Sequence, residues 1–332
     1  ISYFIAHYET PFKIVVQVYV ALLRAHQNEG KALVTQALDI LAPVLPARIT
    51  AGSGNNQQVT DTRYPLWAKW PRRILAEETA NLQQVMSIFQ FLVRQPDLFY
   101  ESREHFVPLI IPSLLKIAPP QTASNESRKL ALNLIGLIWH WEEKRVRGTN
   151  SSATTVNGIE SPNTRKRKFD EAQQSTPSSA ATPARDEYQI PIDLRAALTK
   201  YLVTFITTLF ERYPVPAFKL RELQSSKPQQ PVMTGDIVKR AVQLLRNLLQ
   251  PGFWNDVDID LYQKATEPHL VSEKADRPDE KHITTMVNTL QVIRVLIAAK
   301  PNDWIVNRLP AIQKLLEKAL RLDHPEIQDC LH

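Results

Sequence analysis

The chain has 332 residues, of which 43% are hydrophobic and 22% are charged, and its net charge is +6. Its one cysteine, Cys330, excludes an internal disulfide, and Lys13, Gln17 and Arg24 interrupt the most apolar run, which excludes a membrane span of about twenty residues there. The positive charge is smaller than a dedicated nucleic-acid-binding protein usually carries, so it indicates solubility or acidic partners.

Residues 13–49 predict two helices joined by a turn at Gly30. The first helix, which Thr10 and Pro11 open, is apolar on nearly all sides and therefore needs cover from several neighbours. The second carries a single apolar stripe at three- and four-residue spacing. A hairpin whose inner member is packed between neighbours is the repeating unit of an α-solenoid, a scaffold that acts through its surfaces.

Apolar periodicity predicts four more helices, over 64–78, 81–94, 101–117 and 124–147. Pro71 is expected to strain or break the first of them, and Pro108 and Pro112 are expected to bend the third. Ser124 is the expected N-cap of the fourth. No run of useful length has the alternating period of a β-strand, so we predict an all-α fold.

Residues 148–187 differ in composition from the rest of the chain. They contain no leucine, are rich in Ser, Thr, Gln, Asn and Ala, and carry five basic and five acidic residues. Such a segment buries too little apolar surface to offset the entropy of ordering, so we predict a disordered linker. Its basic run is a candidate nuclear import signal, with a solvated charge run as the alternative: Arg165, Lys166, Arg167 and Lys168.

Helical periodicity returns at Asp193, the expected N-cap of a helix that ends before Pro214. Further helices are predicted over 234–249, 282–300 and 310–322, of which the last two form a hairpin across Pro301. The result is an α-solenoid of about five irregular antiparallel pairs with one long disordered insertion. We divide the chain into helical repeats over 1–147, a linker over 148–187 and helical repeats over 188–332.

The sequence predicts no catalytic, cofactor-binding or metal-ligating residues. Gly52-Ser-Gly54 lacks the third glycine and the flanking elements of a phosphate-binding loop, and the eight histidines have no zinc-ligand spacing. From Tyr64 to Arg73 aromatic and basic side chains are interleaved. This pattern fits nucleic-acid stacking or, as we expect, tryptophans packed between helices with the basic groups in water.

Four stretches resemble the helical-repeat region of the TRRAP family, very large pseudokinase relatives of the phosphatidylinositol-3-kinase-like kinases: KIVVQVYVALLRAHQ, KALVTQALDILAPVLPARI, WPRRILAEE and LALNLIGLIWHWEEKRV. The resemblance is strongest over 13–146. It implies a non-catalytic HEAT-repeat segment that lies before the FAT and pseudokinase domains in a shared subunit of SAGA-type histone acetyltransferase complexes. It also implies a nuclear protein that presents surfaces to transcription activators and other subunits, with no membrane and no direct nucleic-acid binding expected.

Two alternatives remain open. The segment could be the helical arm of a catalytically active kinase of the same superfamily, whose full-length chain would keep an intact catalytic loop. It could instead belong to a nuclear transport receptor, also a HEAT-repeat solenoid, which would bind Ran GTPase. A transport receptor would show more regular repeats, and the irregular pairs predicted here therefore favour the coactivator scaffold.

Overall fold

A computed structural model describes residues 12–25, 30–45, 66–77, 81–154, 188–212, 233–257, 280–321 and 324–331, and all regular secondary structure in these ranges is helical. The helices are α1 (Phe12–Arg24), α2 (Lys31–Leu41), α3 (Leu66–Glu77), α4 (Leu82–Arg94), α5 (Pro96–Phe99), α6 (Arg103–Ile117), α7 (Asn125–Thr154), α8 (Ile192–Arg212), α9 (Met233–Leu249), α10 (Glu280–Ala298), α11 (Asn302–Leu320) and α12 (Pro325–Leu331). Short 3-10 turns follow α2 and α5, at Ala42–Val44 and Tyr100–Ser102. The all-α prediction is confirmed.

The helices up to α9 are stacked in two layers. Helices α1, α3, α6 and α8 contact one another in that order and form layer A, while α2, α4, α7 and α9 do the same and form layer B. Each layer-A helix also contacts the layer-B helix that pairs with it. Because each pair contacts the pairs before and after it, this is the arrangement of an α-solenoid, and that prediction is confirmed.

A row of fully buried aromatic rings joins the first three pairs. The ring centroids of Tyr19 and Trp67 are 6.2 Å apart, those of Trp67 and Phe99 are 5.4 Å apart, and those of Phe99 and Phe106 are 5.2 Å apart. All three contacts are edge-on, a geometry worth about 0.5–1.5 kcal/mol per pair beyond the buried area. The rings belong to one continuous core that extends to Leu296 in α10.

The regular alternation of helix direction ends at α10. The Lys300 ammonium, just after α10, donates hydrogen bonds to the carbonyl oxygens of Asn255 and Val257. Arg195 in the first turn of α8 donates from Nη1 to Asp256 Oδ1 at 2.7 Å. The end of α10 and the beginning of α8 therefore meet at one turn, so α10 runs opposite to α8. Helices α10, α11 and α12 enclose a small separate cluster: Met286, Val287, Leu290, Ile293, Ala319 and Ile327.

Three helices continue through internal prolines, so Pro71 does not break its helix. Pro71 lies within α3, and Pro108 and Pro112 lie within α6. Both α6 prolines are exposed, so water can reach the carbonyl groups that lose an N–H partner. Pro310 lies within α11, which therefore begins at Asn302 and not at Pro310 as predicted.

Two other predicted helix boundaries were wrong, and one predicted N-cap was confirmed. Helix α7 continues past Arg147 to Thr154, so residues 148–154, assigned to the disordered linker, are helical. Extending an existing helix costs far less than starting one, which allows even these poor helix formers to follow. Helix α8 begins at Ile192, which places Asp193 in its first turn instead of at its cap. Ser124 Oγ accepts a hydrogen bond from the Ser127 amide at 3.2 Å, as expected for a cap.

Candidate interaction surfaces

The aromatic and basic side chains of α3 divide between the core and the surface. Trp67 is fully buried between α1 and α5, whereas Trp70 is half-buried. The guanidinium groups of Arg24 and Arg73 lie over the Trp70 ring, 5.5 Å and 5.7 Å from its centroid. Arg73 also pairs with Glu77 at 2.8 Å. The packing prediction is therefore confirmed for Trp67, whereas Trp70 lies at the edge of the core beneath two arginine side chains.

On layer B, the exposed charges of α7 are largely paired with nearby acids. Lys144 Nζ lies 2.7 Å from Asp97 Oδ1, and Arg147 Nη2 lies 2.6 Å from Glu143 Oε1. The hydrogen bond from Lys144 is the main cause that lowers the pKa of Asp97, and His140 acts in the same direction. This part of layer B therefore offers little uncompensated charge to a partner.

A buried polar junction joins α7 to the turn after α9. Glu142 is only 2% exposed, and its carboxylate accepts hydrogen bonds from Arg145 Nη2 and from Trp254 Nε1, both at 3.1 Å. Gly252, with φ of 90°, provides the left-handed turn that leads into Trp254. A charge this deeply buried is tolerated because both of its partners are present. Sequence reasoning missed this junction, although Glu142 lies four residues after Ile138 on an otherwise apolar face.

Two hydrogen bonds hold α8 alongside α6 and fix their direction. Arg103 Nη2, at the beginning of α6, donates to the carbonyl oxygen of Tyr188 at 3.5 Å. The Tyr201 hydroxyl donates to the carbonyl oxygen of Ala118, just after α6, at 2.9 Å. The two helices are therefore parallel. Burial raises the pKa of Tyr188 to about 12, and the charges of Glu142 and Glu104 contribute in the same direction.

The free side of these two helices forms a surface that we call the α6–α8 face. Its members recur at three- and four-residue spacing and are Glu104, Pro108, Pro112, Leu115 and Lys116 on α6, with Asp193, Ala197 and Lys200 on α8. Leu115 is 59% exposed, and all the others except the half-buried Glu104 are exposed as well. The face therefore combines exposed prolines, Leu115 and Ala197 with charged side chains.

The charges on the α6–α8 face lie at different levels along α6. Lys116 and Lys200 lie next to the Tyr201 contact and thus at the same level, whereas Asp193 lies eight residues before Tyr201 and is therefore level with the middle of α6. Glu104 lies at the beginning of α6, where it pairs with His105 at 3.2 Å. Neither lysine forms an ion pair with any residue that the structure describes. The end of the face near Lys116 and Lys200 is therefore basic.

The remaining sequence predictions for sites are not settled by this geometry. Arg165, Lys166, Arg167 and Lys168 lie outside the described residues, as does Gly52-Ser-Gly54. Within the described ranges, no group of three or more His, Cys, Asp or Glu side chains is placed to hold a metal ion. A search of the same ranges finds no helix with the length and apolarity needed to cross a membrane.

Comparison with known proteins shows that the chain matches one protein family over its whole length. Residues 1–332 match the family model described as the Tra1 HEAT repeat ring region. The chain is 30% identical, over 99% of its length, to the SAGA complex/NuA4 acetyltransferase complex subunit TRA1 of Saccharomyces cerevisiae, and it covers 8% of that relative. It is 30% identical, over 99% of its length, to the probable transcription-associated protein 1 of Dictyostelium discoideum, of which it covers 7%.

More distant animal proteins match over the same extent. The human transformation/transcription domain-associated protein is 23% identical over the whole of this chain, which covers 8% of the human protein. The chain therefore spans less than a tenth of the length of each of these three relatives.

Proposed function

Because the chain belongs to the family of the Tra1 HEAT repeat ring region, we propose that it is a non-catalytic scaffold segment of a transcription coactivator. The observation that carries this proposal is the family match over all 332 residues. The two-layer stack is consistent with it, because a solenoid offers a long surface built from repeated helices instead of one central pocket.

The partners follow from the names of the relatives. The yeast relative is named as a subunit of the SAGA and NuA4 acetyltransferase complexes, and the proposed partners here are subunits of such complexes. Transcription activators and the FAT and pseudokinase domains of a longer chain complete the proposal. Enzymatic activity, in this view, belongs to other subunits of the complex and not to this segment.

We place the protein in the nucleus, where an acetyltransferase complex acts on chromatin. Arg165, Lys166, Arg167 and Lys168 are proposed as an import signal, since a flexible basic run can enter an acidic groove on a carrier. In the proposed division of the chain, this signal lies in the linker and outside the helical repeats.

The scaffold proposal is tested by purifying the tagged full-length protein from nuclear extract and identifying the subunits that accompany it. Acetyltransferase subunits are expected in stoichiometric amounts. Recovery of transport cargo with Ran GTPase would favour the transport receptor and contradict the scaffold. ATP-dependent phosphorylation of a substrate by the purified protein would favour the active kinase.

The import proposal has a separate test. Replacement of Arg165, Lys166, Arg167 and Lys168 by alanine in a fluorescent fusion of the full-length protein should reduce nuclear accumulation. A control with Gln173, Gln174, Ser178 and Ser179 replaced by alanine changes the same linker without removing charge and should leave accumulation unchanged. Unchanged nuclear accumulation in the first variant would contradict the proposal.

A further inference from the structure

Helix α11 carries an apolar stripe that is only partly covered by the described part of the chain. Its members recur at three- and four-residue spacing along the helix: Ile305, Leu309, Ile312, Leu316 and Leu320. Leu309 and Leu320 are 53% and 60% exposed, and the other three are half-buried. An apolar stripe on a surface helix normally packs against another element, so we expect a further contact along α11.

The ends of the segment 258–279, which lies outside the described residues, are fixed by its neighbours. Val257 precedes the segment, and its carbonyl oxygen accepts a hydrogen bond from Lys300, just after the end of α10. Glu280 follows the segment and is the first residue of α10. The 19 residues of α10 are about 28 Å long at 1.5 Å per residue. The segment must therefore lead from one end of α10 to the other.

Helix α11 connects the same two ends. It begins two residues after Lys300, and therefore at the end of α10 where Val257 lies. Farther along α11, Ala319 shares a buried cluster with Met286 in the first half of α10. Helix α11 thus runs back along α10, in the same direction as the segment 258–279.

We propose that residues 258–279 pack along the apolar stripe of α11, parallel to that helix. The 22 residues of the segment are long enough, because they span about 33 Å as a helix and more when extended. Two apolar groups provide the contact, one for the first half of the stripe and one for the second: Ile259, Leu261 and Tyr262, then Leu270 and Val271.

The net charges of the two stretches are opposite in sign. Residues 258–279 carry six acidic and three basic side chains, which give a net charge of −3. Residues 302–321, which comprise α11 and Arg321, carry four basic and two acidic side chains, which give a net charge of +2. The attraction between them favours this segment as the neighbour of α11.

Attachment at both ends favours the segment 258–279 over a separate chain. Because its ends are held beside α11, its contact with the stripe is intramolecular and costs no translational freedom. A separate chain would lose that freedom on binding and would compete with a neighbour that is always present. The stripe is therefore an internal contact, which removes it from the surfaces that other subunits can use.

Photocrosslinking of the purified full-length protein tests this contact. The photoreactive residue p-benzoylphenylalanine replaces Leu309 or Leu320, and the crosslinked sites are identified by mass spectrometry. The residue at position 309 should crosslink to 259–265, and the residue at position 320 should crosslink to 268–276. The matched control replaces Lys314, which is exposed on the opposite side of α11, and it should give no crosslink to this segment.

Hydrogen exchange of two charged variants measures the same contact. In the unaltered protein, amides of 258–279 should exchange more slowly than in an unfolded peptide. L309D places a carboxylate in the stripe and should raise their exchange rates about tenfold, because a leucine contact is lost. V306D makes a similar change at a more exposed side chain, but Val306 lies about 80° from the centre of the stripe. It should alter these rates less than about twofold.

A reciprocal variant leaves every described residue unaltered. I259D/Y262D removes apolar side chains from the segment and should raise exchange rates in the first half of α11 by a similar factor. Unchanged exchange in α3 to α7 would show that the rest of the stack remains folded in all three variants.

Several outcomes would overturn the proposal. They are crosslinks from positions 309 and 320 that do not reach 258–279, exchange of this segment as fast as in an unfolded peptide, or equal effects of L309D and V306D. Crosslinks to another part of the protein would assign the stripe to that part instead. Both surfaces belong to this chain, so the result does not depend on the scaffold function.

Discussion

The middle of the stack and its last three helices are held together in different ways. From α1 to α9 the buried residues form one continuous core, to which α10 adds Val292 and Leu296. Helices α10 to α12 enclose a smaller cluster of their own, and α11 leaves Val306, Leu309 and Leu320 between 53% and 68% exposed. In a solenoid, stability is roughly the sum of local interfaces, so the two regions should respond separately to mutation.

The largest effect is expected in the aromatic row of the central pairs. W67A removes a fully buried ring that contacts Tyr19 and Phe99, and it should lower the free energy of unfolding by about 3–5 kcal/mol. The control V306A truncates an exposed side chain on α11 and should change the free energy of unfolding by less than about 0.5 kcal/mol. Urea denaturation with hydrogen exchange would measure both, and equal losses would remove the distinction between the regions.

A smaller loss is expected at the junction between α7 and the turn after α9. E142A leaves Arg145 and Trp254 without their buried acceptor and should cost about 3 kcal/mol. E142Q keeps an oxygen that can accept from Trp254 and should cost less. E143A, which breaks only a surface pair with Arg147, serves as the matched control in the same denaturation series. A cost for E142A no greater than that of E143A would show that the junction is not stabilising.

The hydrogen bonds of Lys300 join the two regions, and their loss should destabilise only part of the protein. K300A leaves the carbonyl groups of Asn255 and Val257 without their donor and should cost about 1–3 kcal/mol. Hydrogen exchange should become faster in α10 to α12 and stay unchanged in α3 to α7. The control K314A, at an exposed lysine of α11, should leave both unchanged. Faster exchange throughout the chain would mean that the two regions unfold together.

The smallest expected effect is a pH-dependent loss of stability caused by the ionisation of Tyr188 in the central pairs. The pKa of Tyr188 is raised to about 12 in the folded protein, so its neutral form stabilises the fold fully below the unfolded value near 10. This stabilisation is lost as the pH rises from about 10 to 12. The Y188F variant has no hydroxyl group to ionise, so its free energy of unfolding should fall less in this window than that of the unaltered protein. The expected difference is about 1 kcal/mol, a small value because the Tyr188 side chain is half-exposed. Parallel curves for the two proteins between pH 9 and 12 would show that Tyr188 does not ionise there.

The pattern of the sequence was sufficient to predict most helices, because a three- and four-residue apolar period directly reports which side of a helix is buried. It did not show that α6 and α11 continue through their prolines, where the decisive fact is exposure. Pro108 and Pro112 are tolerated within α6 because they lie on its free side, and a single sequence does not state which side is free. The start of α11 was missed for the same reason, since Pro310 is also exposed.

The surfaces were less predictable than the helices, because they combine residues from helices distant in sequence. Lys116 and Lys200 reach the same level only through the parallel register that Tyr201 and Ala118 fix, and nothing near either lysine encodes that register. Glu142 was more accessible to prediction. A carboxylate in the apolar period of Leu134, Ile138 and Trp141 indicates a buried partner, although not that the partner is Trp254.

The fixed position of Tyr188 has a consequence for the length of the segment that precedes it. Its carbonyl group is held by Arg103 of an earlier pair, so the start of α8 is anchored to the start of α6. Closing a longer loop between two fixed points costs only about 0.6 kcal/mol for each doubling of its length. Orthologues can therefore gain or lose residues here at little cost, and a reporter protein inserted between 155 and 187 should leave both layers intact.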